Sequence, residues 1–551
     1  MNKKIRIGVL TDGDKITAWS YKMLELINNS EHSEIVLIVK KQQSSSGSES
    51  LFKRIWNTRK DLFWILYNKL ENKLFKPNPN AFEEKNIKDL ISCDEIIVKP
   101  KETKFSDYIS VEDVEEIKTH NVDVFVRLGF RILRGGILKA AKYGIWSFHH
   151  GDNSVNRGGP AGAWEVLEGW DETGVILQIL SEDLDGGTIL SKSYSATDKV
   201  SVLRNKNNYY WKALSMLPRK LEELNTLGGE AFFNSLEEDH STDFYYNRLF
   251  VNPTNLQVLK AFVRIYSVKI KNSFSSLFYF DQWILLYQFN KKGLWSKSFF
   301  RFKRITPPKD RFWADPFVLE KNNKYYIFLE ELLYKEDKGK ISVMEIDEKG
   351  NYNLPETILE KDYHLSYPFI FEDNDKMYMI PETAGNKTIE LYECIDFPLK
   401  WELSNVLFDN ISAVDSTILK HNGKYWLFCN VKENEGASSL DELFLYYSDS
   451  LHNNNWTSHP KNPIISDVRQ SRPAGRIFKE NDKLYRPSQN SGKGYGYGMK
   501  INEIIELSEM AYKEVTVQSI NPNWEKDLLS THTINNCNNL TVIDALVRRR
   551  K

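Results

Sequence analysis

The run VDVFVRLGFRILRGGILKAAKYGIWSFHHGD, residues 122–152, holds two apolar strand candidates joined by a short basic connection. The first is VDVFVRLGF (122–130); the second is shorter and runs from Gly144 to Phe148. Both read as nearly continuous apolar runs, the pattern of strands covered on two faces. Upstream, IRIGVL (5–10), EIVLIV (34–39) and EIIV (95–98) have the same character. Helices are expected between them, over Trp19–Asn28 and around Val111–Thr119. TGVILQIL (173–180) is a further strand. Alternating strands and helices imply an α/β domain built on a doubly wound parallel sheet over residues 1–230. The polar QQSSSGSES (42–50) reads as a loop within it.

A chain of 551 residues exceeds what one core accommodates, so further domains are expected. Its formal net charge of -1 argues against a nucleic-acid partner, which would call for a basic face. Cys93, Cys394, Cys429 and Cys537 are too scattered for a metal knuckle or disulfide scaffold, so no metal is expected and a reducing cytoplasm fits best. No uncharged apolar run approaches the roughly 18 residues of a membrane span. Residues 61–75 and 256–270 mix lysine or arginine with bulky apolar side chains. They are expected to be core-facing amphipathic helices, with peripheral attachment at the inner membrane face as the alternative. Oligomeric state is not legible.

Residues 231–300 read as a connector, with a helix after NPTN and a strand at QWILLYQF (282–289). Residues 301–551 repeat themselves. DPFVLEKNNKYYIFLEE (315–331), YPFIFEDNDKMYMIPE (367–382), DSTILKHNGKYWLFCN (415–430) and RPAGRIFKENDKLYRPSQ (472–489) each place a polar turn between two strands. Lys324, Lys376, Lys424 and Lys483 mark the same place in each, followed two positions later by Tyr326, Tyr378, Trp426 and Tyr485. Further strand candidates, KISVMEID, TIELYEC, LFLYYSD and YGMKINEI, follow the hairpins. Four strands per unit at a period of about 50 residues are the mark of propeller blades. A fifth blade is expected from QWILLYQF together with the terminal HTINNCNNLTVIDALV (532–547). The all-β part is therefore read as a five-bladed propeller.

His149 and His150 follow the Gly144–Phe148 strand, at the carboxyl edge where open parallel sheets place ligands. After the next strand, SEDLDGGTIL (181–190) puts Asp183 and Asp185 on a glycine-rich turn. A histidine beside a carboxylate on neighbouring strand ends makes an acid–base pair. Taken singly, either histidine is as well explained as a satisfied polar residue.

Ser147-Phe148-His149, Arg157-Gly158, Thr173-Gly174-Val175 and Leu184-Asp185-Gly186-Gly187 stand in that order. The pattern resembles the catalytic core of the folate-dependent formyltransferases, whose members act on methionyl-tRNA, glycinamide ribonucleotide and sugar amines. The resemblance implies N10-formyltetrahydrofolate as cofactor, His149 as the proton-transferring and intermediate-stabilising group, and Asp185 as its partner. It implies a folate ring against the backbone near Arg127, Leu128 and Gly129 and against the loop bearing Asp183. The family has asparagine where this chain has Ser147, so the missing donor is expected from Ser147 itself or from His150, Asp152 or Asn153. Loss of one such donor costs on the order of 3 kcal/mol of transition-state stabilisation.

The repeats resemble the propeller-type domain of glucosamine inositolphosphorylceramide transferases and the five-bladed propellers of some glycoside hydrolases. That likeness implies a central funnel lined by Asp315, Glu382, Asp415 and Arg472. Trp313, Tyr367 and Trp426 would offer a sugar-stacking surface. The resulting reading is a cytoplasmic formyltransferase acting on a nucleotide- or lipid-linked amino sugar in surface polysaccharide synthesis, with a glycan-recognising propeller. The alternatives are a glycan-binding protein with a degenerate site and a propeller-borne glycoside hydrolase. Methionyl-tRNA is a poor substrate candidate for a chain that is not basic.

Overall fold

The computed structural model describes residues 3–42, 59–236, 245–290 and 295–551, so most of the polar run 42–50 lies outside the described residues. The chain divides into two compact units, Met1–Ser267 with Asn434–Ser438, and Val268–Glu433 with Ser439–Lys551.

The first unit is built on a seven-stranded sheet: β1 (Ile5–Thr11), β2 (Ser33–Lys41), β3 (Asp94–Val98), β4 (Val124–Arg127), β5 (Ile145–His149), β6 (Glu172–Ile179) and β7 (Thr188–Ala196). Their order across the sheet is β7-β6-β5-β4-β1-β2-β3. β1 to β5 are parallel, whereas β6 and β7 pair antiparallel at one edge. The expectation of a wholly parallel sheet is corrected there, and the helix before β6 shows why. It spans only Trp164–Glu168, ended by Gly169 at φ 75°. Five helical residues rise about 7 Å, too little to carry the chain back along a strand. The chain therefore returns beside β5 from the edge at which it left.

Alternate residues of each strand point to opposite faces, and both faces are covered. Ile7, Val9, Val126, Trp146 and Phe148 join one buried cluster with Trp19, Met23 and Leu221. Leu10, Val39, Phe125 and Ile145 join the other with Val114 and Ile117. Two-sided burial is why these strands lack a polar alternation. The helix Val111–Thr119 starts at Ser110, whose hydroxyl accepts from the Asp113 N–H, with Glu112 and Asp113 in its first turn.

The two amphipathic segments form the helices Leu62–Leu74 and Asn255–Phe278. Here the core-facing expectation is corrected: Trp64, Val258, Ala261 and Ile265 are buried, but most of their other bulky apolar side chains are exposed. Among the described residues no helix is long and apolar enough to cross a membrane.

Among its described residues, the second unit forms five antiparallel sheets of four or five strands. Four of them contain the repeated hairpins, Arg311–Lys321 with Lys324–Leu333, Ser366–Asp373 with Lys376–Glu382, Ala413–His421 with Lys424–Val431, and Phe478–Glu480 with Lys483–Asn490. Their turns are Asn322-Asn323, Asn374-Asp375, Asn422-Gly423 and Asn481-Asp482, every one at positive φ. Two-residue hairpin turns need that geometry, which asparagine, aspartate and glycine tolerate best. The four lysines that open the second strands reach Glu345, Glu393, Asp449 and Glu503. The fifth sheet pairs Tyr279–Phe289 with Leu540–Arg550, the first and last strands of the unit.

Candidate active site

β5 ends at His149, and the β6–β7 connection brings Asp185 against it: Nδ1 lies 3.3 Å from Asp185 Oδ1. Asp185 sits at φ 53°, a left-handed position that turns its carboxylate back toward the sheet edge. The Asn153 amide donates to the Asp185 carbonyl and steadies that turn. On its other side, His149 Nε2 lies 2.8 Å from the Asn156 carbonyl. Both neighbours are acceptors, an arrangement that favours a proton on each ring nitrogen and so the imidazolium form. Burial opposes that charge, but the Asp185 carboxylate and the Asn156 carbonyl outweigh it and hold the pKa above the ordinary histidine value. Burial likewise opposes ionisation of Asp185, and His149, the Gly158 N–H and Arg127 together bring its pKa below the usual carboxylate range. The pair is not sealed off, since the Asp185 side chain is 15% exposed and that of His149 8%.

Gly158 makes this loop possible. It takes φ 102°, and a Cβ there would stand 2.2 Å from the Phe250 carbonyl oxygen, so no other residue fits without displacing that segment.

Several sequence expectations change on this geometry. Ser147 is buried, and its hydroxyl accepts from Arg127 Nε at 2.9 Å rather than facing the open edge. The short serine leaves space that the Arg127 guanidinium occupies, and its charge bears on Asp185. Next along the chain, His150 turns to the opposite face from His149, as alternation along a strand requires. Its ring stacks 3.8 Å from Tyr210 and its Nδ1 has no hydrogen-bond partner. Burial first, then the nearby positive charges, push its pKa well below the ordinary value. The neutral form is therefore favoured, and the ring packs among aromatic side chains away from His149. Asp152, the other candidate donor, is held by Lys192 and Tyr194.

The Leu128 and Gly129 N–H groups both donate to the Leu10 carbonyl. Gly129 is also packed against Asp12, where a Cβ would meet the backbone nitrogen at 2.3 Å. Both N–H groups are therefore already bonded within the protein. Asp183 is exposed on the loop that carries Asp185.

Two neighbours of the pair were not picked out from sequence. Asn156 donates to Glu165 Oε1, and Asn156 Oδ1 and Glu165 Oε2 are buried without partners. Burial pushes the Glu165 pKa up from 4.5 to about 7, against its backbone hydrogen bond and Asn156. The sign of the consequence is fixed. Between pH 4.5 and about 7 the folded protein keeps a proton that the unfolded chain releases, so Glu165 makes stability fall as pH rises through that window. Glu165→Gln is expected to match wild type near pH 4 and to exceed it near pH 8 by about 3 kcal/mol in denaturant unfolding. Equal stability at both pH values would place Glu165 in a more polar setting.

In the second unit, three hairpins carry a bulge at the same place, with Asp315, Tyr367 and Asp415 at positive φ. A bulge re-aims a side chain that regular pleating would send elsewhere. Arg472 binds Asp415 at 2.5 Å and 3.1 Å and reaches Glu382 at 3.4 Å, and Gln489 also donates to Asp415. Burial pushes the Glu382 pKa well above its ordinary value, reinforced by Asp415. Asp315 accepts from Thr533 and from the Tyr367 N–H. It also joins His532 and Asp544, a buried trio whose ligand-type atoms lie within 4.8 Å of one another and which no sequence spacing announced. Burial lowers the pKa of His532, but Asp544 and Asp315 override it and raise it to about 9, so a charged imidazolium bridges two acids. Burial and the neighbouring acids lift Asp315 to about 7.

The expected aromatic surface is not there. Trp313 is 1% exposed and donates to Glu331, while Tyr367 and Trp426 are equally buried. Tyr495, 48% exposed, lies over the Arg472 guanidinium instead.

Residues 304–535 match the family model described as glucosamine inositolphosphorylceramide transferase 1, N-terminal. The glucosamine inositolphosphorylceramide transferase 1 of Arabidopsis thaliana is 36% identical over 209 residues, covering 37% of this chain and 27% of that protein. The chain thus spans 27% of the length of that relative and 28% of its Oryza sativa counterparts. A methionyl-tRNA formyltransferase of Prochlorococcus marinus is 41% identical over 76 residues, 14% of this chain and 22% of that enzyme. Among solved structures, a family 117 glycoside hydrolase of Zobellia galactanivorans aligns with 48% of this chain and 90% of its own at 12% identity and a TM-score of 0.32.

Proposed function

We propose that the first unit transfers a formyl group from N10-formyltetrahydrofolate to the amine of a nucleotide- or lipid-linked amino sugar, on the cytoplasmic side of surface polysaccharide synthesis. We read the five sheets of the second unit as the blades of a ring that recognises the glycan part of the acceptor. One observation carries the proposal: His149 held by Asp185 at 3.3 Å on a partly open sheet edge, within motifs in formyltransferase order. Similarity to methionyl-tRNA formyltransferases supports the reaction class, and the match over residues 304–535 supports a sugar-bearing acceptor.

The residues fit a folate-derived donor. A pterin presents N–H groups and needs acceptors; the Leu128 and Gly129 N–H groups already bond the Leu10 carbonyl, and the exposed Asp183 carboxylate on the neighbouring loop is such an acceptor. When bound, N10-formyltetrahydrofolate supplies the electrophilic formyl carbon. His149 then places positive charge where negative charge develops on the formyl oxygen, the electrostatic contribution that fixed donors make best in a partly dry site. Arg127, admitted by the small Ser147, stands in for the family's asparagine as the second positive group. Because both His149 nitrogens face acceptors, the imidazole does not take the proton lost by the attacking amine; Asp185 keeps the ring charged, and that proton would leave on N10 of the departing tetrahydrofolate as the formyl C–N10 bond breaks. Asn156 and Glu165 hold the ring from behind.

For the second unit, Asp415 is tied by Arg472 and Gln489, which leaves it poorly suited to activating water. The arrangement of Glu382, Arg472 and the exposed Tyr495 suits sugar hydroxyls, and glycan binding is the reading it favours over hydrolysis. The test is incubation of the full chain with N10-formyltetrahydrofolate carrying a labelled formyl group and a panel of nucleotide- and lipid-linked amino sugars. Label is expected in an amide of at least one sugar. Release of reducing sugar from a glycan instead, abolished by Asp315→Asn, would replace this reading with hydrolysis.

A further inference from the structure

Within the first unit, the helix Leu62–Leu74 and the start of the helix Asn255–Phe278 share one buried cluster through Trp64, Val258, Ala261 and Ile265. Their starts are locked together. The Phe63 N–H donates to Asn255 Oδ1 at 2.8 Å, and the Asn255 amide donates to the Arg59 carbonyl at 2.8 Å. What this packing leaves outside is apolar. Leu62, Phe63, Leu66, Leu70 and Leu74 follow one face of the first helix, and Leu256, Leu259, Phe262 and Val263 one face of the second. All nine are between 39% and 60% exposed. The two stripes are continuous with each other, because Leu70, Leu74, Phe262 and Tyr266 line one shallow groove.

Charge decides what covers this face. Lys69 and Lys73 flank the first stripe and Lys260 the second, all exposed. The segment Asn255–Phe278 contains no acidic residue, and the one carboxylate in Leu62–Leu74, Glu71, is buried and bound to Ser201. An apolar stripe flanked along its length by lysines, with Asp61 as the carboxylate at its start, is complementary to a surface that is greasy inside and negative outside.

We infer that the paired helices form a docking surface for an anionic lipid bilayer, with the leucine stripes immersed at the level of the head groups and the lysines against lipid phosphates. This attachment does not depend on the formyl-transfer reading. If both hold, a lipid-linked amino sugar becomes the favoured acceptor.

The test is co-sedimentation of the full chain with phosphatidylcholine vesicles, with and without phosphatidylglycerol. Wild type is expected to pellet with the anionic vesicles and to be released by raising salt. Lys69→Glu, Lys73→Glu and Lys260→Glu are each expected to weaken binding by roughly fivefold or more. Leu66→Glu combined with Leu259→Glu is expected to abolish it. These positions are exposed, so thermal melts should match wild type and exclude misfolding. Wild type that stays in the supernatant with both vesicle types overturns the inference. So does a dimer in solution that the leucine substitutions dissociate, since the face then belongs to a second copy of the chain. Formyl transfer to a soluble nucleotide-linked sugar is unaffected by either result, which keeps the two claims separable.

Discussion

Replacing His149 with alanine is expected to lower kcat/KM for formyl transfer by about a thousandfold or more, while the fold and donor binding survive. The residue contributes a fixed positive charge, and removing one preorganised donor from such a site typically costs a hundred- to a thousandfold. Here the loss also breaks the link between Asp185 and the Asn156 carbonyl, so two further groups lose their orientation. Asp185→Asn separates charge from shape. The amide still reaches the imidazole but no longer favours its protonated form, so burial is opposed only by the Asn156 carbonyl and Glu165 and the His149 pKa falls from its raised position. The expected signature is an activity that persists only toward acid pH in Asp185→Asn, whereas wild type declines only as pH rises above the ordinary histidine range. The same linkage sets the stability profile. With its folded pKa raised, His149 contributes stability that is complete below its unfolded pKa and is lost as pH rises through the folded value. A wild-type pH profile in Asp185→Asn would show that the carboxylate does not control the imidazole.

The largest effect on stability is expected from Arg472→Met in the second unit. Arg472 is 7% exposed and Asp415 1%. Removal of the guanidinium leaves Asp415 with Gln489 as its remaining donor and Glu382 with no cation. Breaking a buried pair on one side costs about 3–5 kcal/mol, because the abandoned charge has lost water without compensation. Arg472→Met with Asp415→Asn should recover most of that loss, since the second change removes the stranded charge. Denaturant unfolding of the full chain reads both. A single substitution within about 0.5 kcal/mol of wild type would mean that solvent reaches the pair freely.

What could be read from sequence was what is local. The strands of the first sheet were legible because two-sided burial writes an uninterrupted apolar run, and the hairpins because Asn-Asn, Asn-Asp and Asn-Gly specify their turns. The antiparallel edge was not, since strand direction depends on where a very short helix leaves the chain. His149 and Asp185 were found through their glycine-bearing turns. The placement of His150 was within reach too, because adjacent residues on a strand face opposite ways. Arg127 was expected to offer backbone, and only the pairing of β4 with β5 puts its side chain beside Ser147. A glutamate in AWEVLE, with Glu168 one turn on, reads as a solvated edge, so Glu165 was passed over although burial makes it a neighbour of the site. His532 and Asp544 reach Asp315 from the far end of the chain, where no spacing rule connects them. The apolar faces of Leu62–Leu74 and Asn255–Phe278 show the opposite limit. Periodicity marks an amphipathic helix but does not say whether its apolar side meets a core or remains open.

The most direct measurement is single-turnover transfer of a labelled formyl group from N10-formyltetrahydrofolate to an amino-sugar acceptor, with donor binding followed separately. Wild type is predicted to bind the donor and move the label to the amine, and Asp185→Asn at neutral pH to bind the donor and leave the label in place. Label that stays on the donor with wild type across the full acceptor panel, or that moves equally fast in Asp185→Asn, would contradict the assignment of His149 and Asp185 as a formyl-transfer centre.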